Sequence, residues 1–143
     1  MKSRILTFGV MIFLSAVTCI PVFAATNSFS FTMKNRYISG DSNNQHHILR
    51  AGNVYIKGTI TSTKQNNNYG GTSPNPISIA LYRSKTGIDK YCGEVALGKS
   101  KNIKITERKL GKADITSGKY YLVIYKAEND YWTSTGSGKV YNK

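Results

Sequence analysis

At 143 residues the chain has room for one domain and one core, and its 20 Lys and Arg against 7 Asp and Glu give a formal charge of +13. A charge of that size bears on partners and solubility and leaves the fold open. Of the two cysteines one falls in an apolar leader, which excludes an internal disulfide once the leader is removed.

The chain begins "MKSRILTFGVMIFLSAVTCIPVFAA". Lys2 and Arg4 form a basic start, an apolar run extends from Ile5 to Ile20, Pro21 breaks it, and Val22-Phe23-Ala24 sets small residues before a cleavage point at Ala24/Ala25. Residues 1–24 read as a secretory signal and residues 25–143 as the mature domain. The run is short for a bilayer span. A lipoprotein signal at Cys19 would want Gly, Ala or Ser where Thr18 stands. Without Lys2 and Arg4 the mature chain keeps 18 basic and 7 acidic residues, a net charge of about +11. It holds no Asn-x-Ser/Thr acceptor, in keeping with a bacterial source.

Period two dominates the mature chain. Phe29, Phe31 and Met33 alternate with Ser28, Ser30, Thr32 and Lys34. After the turn "AGNV", Val54, Ile56 and Ile60 alternate with polar residues over 53–61, with Gly58 at a bulge. Residues 62–76, "STKQNNNYGGTSPNP", are turn formers without a period, a long loop that is either mobile or used for contact. A strand follows at Ile77, Ile79 and Leu81. The next covers 90–97, with Tyr91, Val95 and Leu97 sharing one face.

Ile103 and Ile105 mark a further strand, Leu110 points inward, and "GKADITSG" turns the chain. In "GKYYLVIYK", 118–126, parity gives Tyr120, Leu122 and Ile124 to the core and leaves Tyr121, Val123 and Tyr125 on the other face. "ITSGKYY" has the form of a corner in which the Tyr120 hydroxyl reaches back to backbone just upstream. A last strand lies near 138–141. No segment shows the 3.6-residue period of a surface helix. These are the marks of an all-β, single-domain antiparallel β-sandwich of seven to eight strands, of jelly-roll or Greek-key type.

Candidate functional residues form two groups. Lys99, Lys101, Lys104, Arg108, Lys109 and Lys112 stand within "KSKNIKITERKLGK" against Glu107 alone. On a sheet edge they would gather into a polyanion-binding patch, and they would also block edge-to-edge aggregation. Tyr121, Tyr125 and Trp132 supply aromatic faces for stacking on a sugar or base, or cross-strand packing that stabilises the sheet. Trp132 could equally cap the end of the core. Tyr69 and Tyr131 lie in segments that the strand pattern does not bury.

His46 and His47 are adjacent, with Asp41 five residues before the first. Neighbouring strand residues point to opposite faces, so the pair reads as part of a solvated loop, and no metal or cofactor is expected. Cys92 is either a buried hydrophobe or a free thiol. Carboxylates come close in sequence only at Glu128 and Asp130, and no nucleophile elbow or zinc-binding helix motif is present.

The order "ISIALYRSKTG", "NIKI", "ITSGKYYLVIYKA" resembles the small β-sandwich appended to secreted bacterial proteases, the pre-peptidase C-terminal type, in which an L-Y-x-x-x-G strand and turn precede a G-x-Y-Y-L strand. Phe29-x-Phe31 and "AGNVYIKGTI" fit its earlier strands. The resemblance implies a non-catalytic module that aids secretion or binds substrate. This chain departs from it in carrying no protease, in its basic charge and in lacking that family's acids.

Charge and leader together give the expectation of a secreted or envelope-associated monomer that binds an anionic cell-wall polymer, polysaccharide or membrane surface, nucleic acid not being the expected physiological partner. A secreted antibacterial or host-directed effector is the alternative, and a secreted enzyme the third.

Overall fold

Alternation of residue type becomes alternation of burial along β1, Thr26–Met33, where Phe29, Phe31 and Met33 face the core while Ser28, Ser30 and Thr32 face solvent. The computed structural model describes residues 26–65 and 68–143, so the expected signal at 1–24 lies outside the described residues. The remaining strands are β2 (Tyr37–Ser39), β3 (His47–Leu49), β4 (Gly52–Lys64), β5 (Ile77–Arg83), β6 (Lys90–Leu97), β7 (Asn102–Ala113), β8 (Gly118–Lys126) and β9 (Trp132–Asn142). They form two antiparallel sheets, one ordered β1-β9-β4-β7 and the other β2-β8-β5-β6, with β3 also paired to β8. The architecture is the all-β single-domain sandwich, with nine strands among the described residues.

The core fills from both sheets: Phe29, Val54, Ile56, Ile60, Leu110 and Val140 on one side meet Leu49, Ile77, Ile79, Leu81, Leu122 and Ile124 on the other. Phe31 and the backbone of β4 restrict the composition of β9. A Cβ on Gly136 would collide with a Phe31 ring carbon, and one on Gly138 would collide with the Lys57 carbonyl and lie 2.8 Å from the Phe29 ring. The inward positions between Trp132 and Val140 are Ser134, Gly136 and Gly138, which carry no apolar signal. The apolar pattern therefore shows only the end, near 138–141, of a strand that starts at Trp132.

β4 likewise runs on to Lys64, shortening the long loop to 65–76. Gly58 marks a register shift against β7. In β6 the expected face is corrected, for Val95 and Leu97 are buried while Tyr91 is exposed. Gly93, at φ +141°, shifts the register after Leu81 and turns Tyr91 outward. Gly93 and Gly111 also bring β6 and β7 together, since a Cβ on Gly93 would sit 2.6 Å from the Leu110 carbonyl.

The corner at the start of β8 has the expected form. The Tyr120 hydroxyl lies 3.1 Å from the amides of Asp114 and Ile115 and from the Ile115 carbonyl, and 3.1 Å from Asp114 Oδ1. Asp114 also takes Arg83 at 2.8 Å and Lys90 at 2.9 Å. The Lys90 hydrogen bond is the largest of the influences that hold its carboxyl down at about 2, while partial desolvation works against them. Cys92 packs against the core, and burial raises its thiol pKa, which favours the hydrophobe over the reactive thiol.

The adjacent histidines do not form a solvated loop. His47 opens β3 and is buried, whereas His46 turns out to Asp41 at 2.9 Å. Desolvation, with a smaller push from His46, lowers the His47 pKa from 6.5. Below that value the unfolded chain takes up a proton that the folded chain refuses, so stability falls as pH falls. Thermal melts should show Tm decreasing from about pH 7 to about pH 5, with a shallower slope in His47→Gln. An equal slope in the variant would remove His47 as the cause.

Candidate functional site

The four strands of the β1-β9-β4-β7 sheet carry Lys57, Lys64, Lys104, Arg108, Lys109, Lys112 and Lys139 against one acid, Glu107. The other six acids lie on the second sheet or in connecting segments. The basic excess is thus concentrated on one sheet.

Register arranges the outer face of that sheet in rows. Ser28, Lys139 and Lys57 are cross-strand neighbours; the next row is Ser30, Ser137, Thr59 and Lys104, and the one after it Thr32, Thr135, Thr61 and Asn102. All of these residues are solvent-exposed. Lys57 and Lys139 stand directly opposite each other, a like-charge placement that lowers stability unless an anion or acid compensates it. They share a shallow depression with Lys104, Thr59 and Thr106, floored by Gly58, Gly138 and Ile105. Among the described residues no carboxylate comes within ion-pair distance of Lys57, Lys104 or Lys139, and Glu107 acts on Lys57 only from farther away.

Glu107 is already committed. It accepts from the Tyr141 hydroxyl and from Lys143 Nζ, and these bonds lower its pKa while pushing Tyr141 up to about 12. Tyr141 stacks on Tyr55, with centroids 6.2 Å apart. Lys57 lies 5.3 Å over the Tyr141 ring and Lys143 5.1 Å over Tyr55. The face therefore presents ammonium groups, hydroxyls and two flat rings together.

The six basic residues expected to gather in one patch are strung out. β7 has 12 residues, a length of roughly 40 Å at strand rise. Lys99 sits in the preceding turn and Lys101 lies 5.4 Å over the Trp132 ring. Lys104 joins the depression, Lys109 is opposite Tyr55, Lys112 is opposite Asn53, and Arg108 is exposed at the register shift near Ile56. Lys57 and Lys139 were missed because each is a lone lysine in its own segment. Strand parity turns Lys57 outward, but only long-range register brings it to Lys139.

Two of the three aromatic candidates are corrected. Tyr121 is 7 % exposed, stacked on Tyr82 at 5.7 Å and donating to Asp89 at 2.7 Å. Trp132 is 3 % exposed and donates through Nε1 to the Gly71 carbonyl. Trp132 thus caps one end of the core beneath the 65–76 loop, and neither ring offers a face to a ligand. Tyr125 stays half-buried, and the neighbouring Glu94 raises its pKa. Tyr69 and Tyr131 are exposed and pair with each other at 5.7 Å.

The 65–76 loop is fastened where described. Asp130 accepts from the Asn75 amide at 2.7 Å, from the Trp132 amide at 3.0 Å and from Lys126 Nζ at 2.8 Å. Asp130 is therefore a buried structural ion-pair partner, whereas Glu128 is exposed. Among the described residues no three His, Cys, Asp or Glu side chains converge as a metal site.

No protein-family model matches the chain, and no curated protein matches it either. Among solved structures it is similar to a protein from Sulfurospirillum deleyianum, at 10% identity over 82% of this chain and 98% of the other, with a TM-score of 0.42. It is also similar to the Yersinia pseudotuberculosis-derived mitogen, at 14% identity over 82% and 86% of the two chains, with a TM-score of 0.34. Identities and superpositions this low bear no weight for function. The likeness to the pre-peptidase C-terminal type remains one of strand pattern.

Proposed function

We propose that this is a secreted, non-catalytic protein that binds an extracellular or cell-envelope polyanion on the outer face of its β1-β9-β4-β7 sheet. One observation carries the reading: Lys57 and Lys139 face each other across the strands, with Lys104 in the same depression and no carboxylate paired to any of the three among the described residues. Positive charge needed only for solubility would have no reason to collect on one sheet at the expense of strand pairing. A phosphate-bearing wall polymer or an acidic polysaccharide supplies the missing anions. Its hydroxyls find partners in the Ser and Thr rows.

Binding of the mature chain to immobilised wall polymer and acidic polysaccharide should weaken steeply as salt rises from about 0.1 M to about 1 M, where the screening length shrinks from about 10 Å to about 3 Å. Binding that ignores salt, or that is absent at low ionic strength, contradicts the proposal. Capture only by anionic vesicles, accompanied by leakage, would instead support the effector reading.

A further inference from the structure

The opposite face of the sandwich is built differently. The outer side of β2, β8, β5 and β6 carries Tyr37, Tyr125, Tyr82, Tyr121 and Tyr91. Tyr37 and Tyr125 are direct cross-strand partners. A groove of about 400 Å³, lined by Arg36, Tyr37, Tyr82, Val123, Tyr125 and Lys126, opens on this face. That volume lies toward the lower end of the range for small-ligand sites.

The walls are preorganised. Tyr82 is stacked on Tyr121 at 5.7 Å with the rings 15° from parallel, and Tyr91 meets it edge-on at 5.6 Å. Tyr125 is half-buried on the same face. Fixed rings lose little freedom when a ligand arrives. Tyr37, 65 % exposed on its three-residue strand, leaves a large apolar area in water that nothing else among the described residues covers.

The charge at the groove identifies the ligand class. Lys126 Nζ is turned inward to Asp130 and the Trp132 carbonyl, both at 2.8 Å, so the cation available to a ligand is Arg36. Its side chain is exposed, and among the described residues no carboxylate pairs with it. A guanidinium fork suits a carboxylate through two parallel hydrogen bonds. Tyrosine rings suit a partner that is apolar on one side and hydroxylated at its edges. A pyranose ring bearing a carboxylate combines both features.

We propose that this groove is a second, separate binding site that takes a uronic-acid sugar unit, its ring against Tyr37, Tyr82 and Tyr125 and its carboxylate on Arg36. It stands independently of the lysine face, and the test keeps the two apart.

Calorimetric titration with trigalacturonate and with its carboxyl-reduced neutral counterpart would be run on the mature wild-type chain and on Tyr37→Ala, Arg36→Gln and Lys57→Gln/Lys139→Gln, singly and combined. Thermal melts would confirm that each variant is folded. Lys57→Gln/Lys139→Gln removes the contribution of the lysine face, and in that background trigalacturonate should still bind the groove, at least tenfold more weakly once Tyr37→Ala is added and no better than the neutral sugar once Arg36→Gln is added. Absent binding, binding unchanged by Tyr37→Ala and Arg36→Gln, or loss confined to the lysine variant would each overturn the proposal. So would sedimentation showing a wild-type dimer that Tyr37→Ala converts to monomer, because the groove would then belong to a second copy of the chain.

Discussion

Asp130→Ala should lower the stability of the domain by about 3–5 kcal/mol, a large effect for a single polar substitution. The substitution leaves Lys126, whose side chain is 0 % exposed, as an ammonium in the interior with only the Trp132 carbonyl 2.8 Å away. It also takes away the acceptor for the Asn75 and Trp132 amides. An unpaired buried charge is far more damaging than the pair itself is helpful, because the desolvation of the lysine remains when its partner is gone. The 65–76 loop should loosen with it, since Asn75 is held by Asp130 and the Trp132 indole donates to Gly71. Urea melts with proteolysis of the loop would measure both. A loss below about 1 kcal/mol, the range of exposed pairs, would show that this ion pair is not the closure of that end of the sandwich.

Lys57→Gln/Lys139→Gln should weaken polyanion binding by about thirtyfold, on the basis of roughly 1 kcal/mol for each lysine near an anionic surface and 1.4 kcal/mol for each factor of ten. Stability should not fall with it. Removing two like charges from directly opposed positions relieves a repulsion of up to about 1 kcal/mol, which offsets the loss of the Lys57–Tyr141 cation–π contact of about 0.5–1 kcal/mol, so Tm should hold while affinity falls. A variant that binds less because it folds less would show both quantities falling together.

The sandwich was readable wherever a strand has one apolar face. β1, β5 and β8 display it through Phe29 and Phe31, through Ile77, Ile79 and Leu81, and through Tyr120, Leu122 and Ile124. Tyr120 was readable because a short turn and a strand start place its hydroxyl locally. β2 and β3, at three residues each, are too short to show a period and exist through pairing to the distant β8. The first part of β9 was hidden because Phe31 and the backbone of β4 leave room only for glycine at Gly136 and Gly138, and the inward position before them is Ser134.

The candidate site was legible only as charge. Density of lysine in one segment pointed to β7, but strand geometry spreads such a run along its length, whereas pairing gathers single lysines from β4 and β9. Tyr121 illustrates the complementary error. Its outward parity was right, yet Tyr82, His46 and Asp89 bury it, so outward and accessible are different properties when neighbouring rings are large.

The most direct test of the lysine face holds net charge constant. Lys57→Gln/Lys139→Gln and Lys85→Gln/Lys119→Gln each remove two positive charges, the second pair from exposed positions away from the basic sheet. Dissociation constants for an anionic wall polymer or acidic polysaccharide at one fixed low ionic strength would then be compared. A binding face on this sheet predicts about a thirtyfold loss for the first pair and less than about threefold for the second. Equal losses would mean that net charge alone attracts the polymer and would contradict a binding face on the β1-β9-β4-β7 sheet.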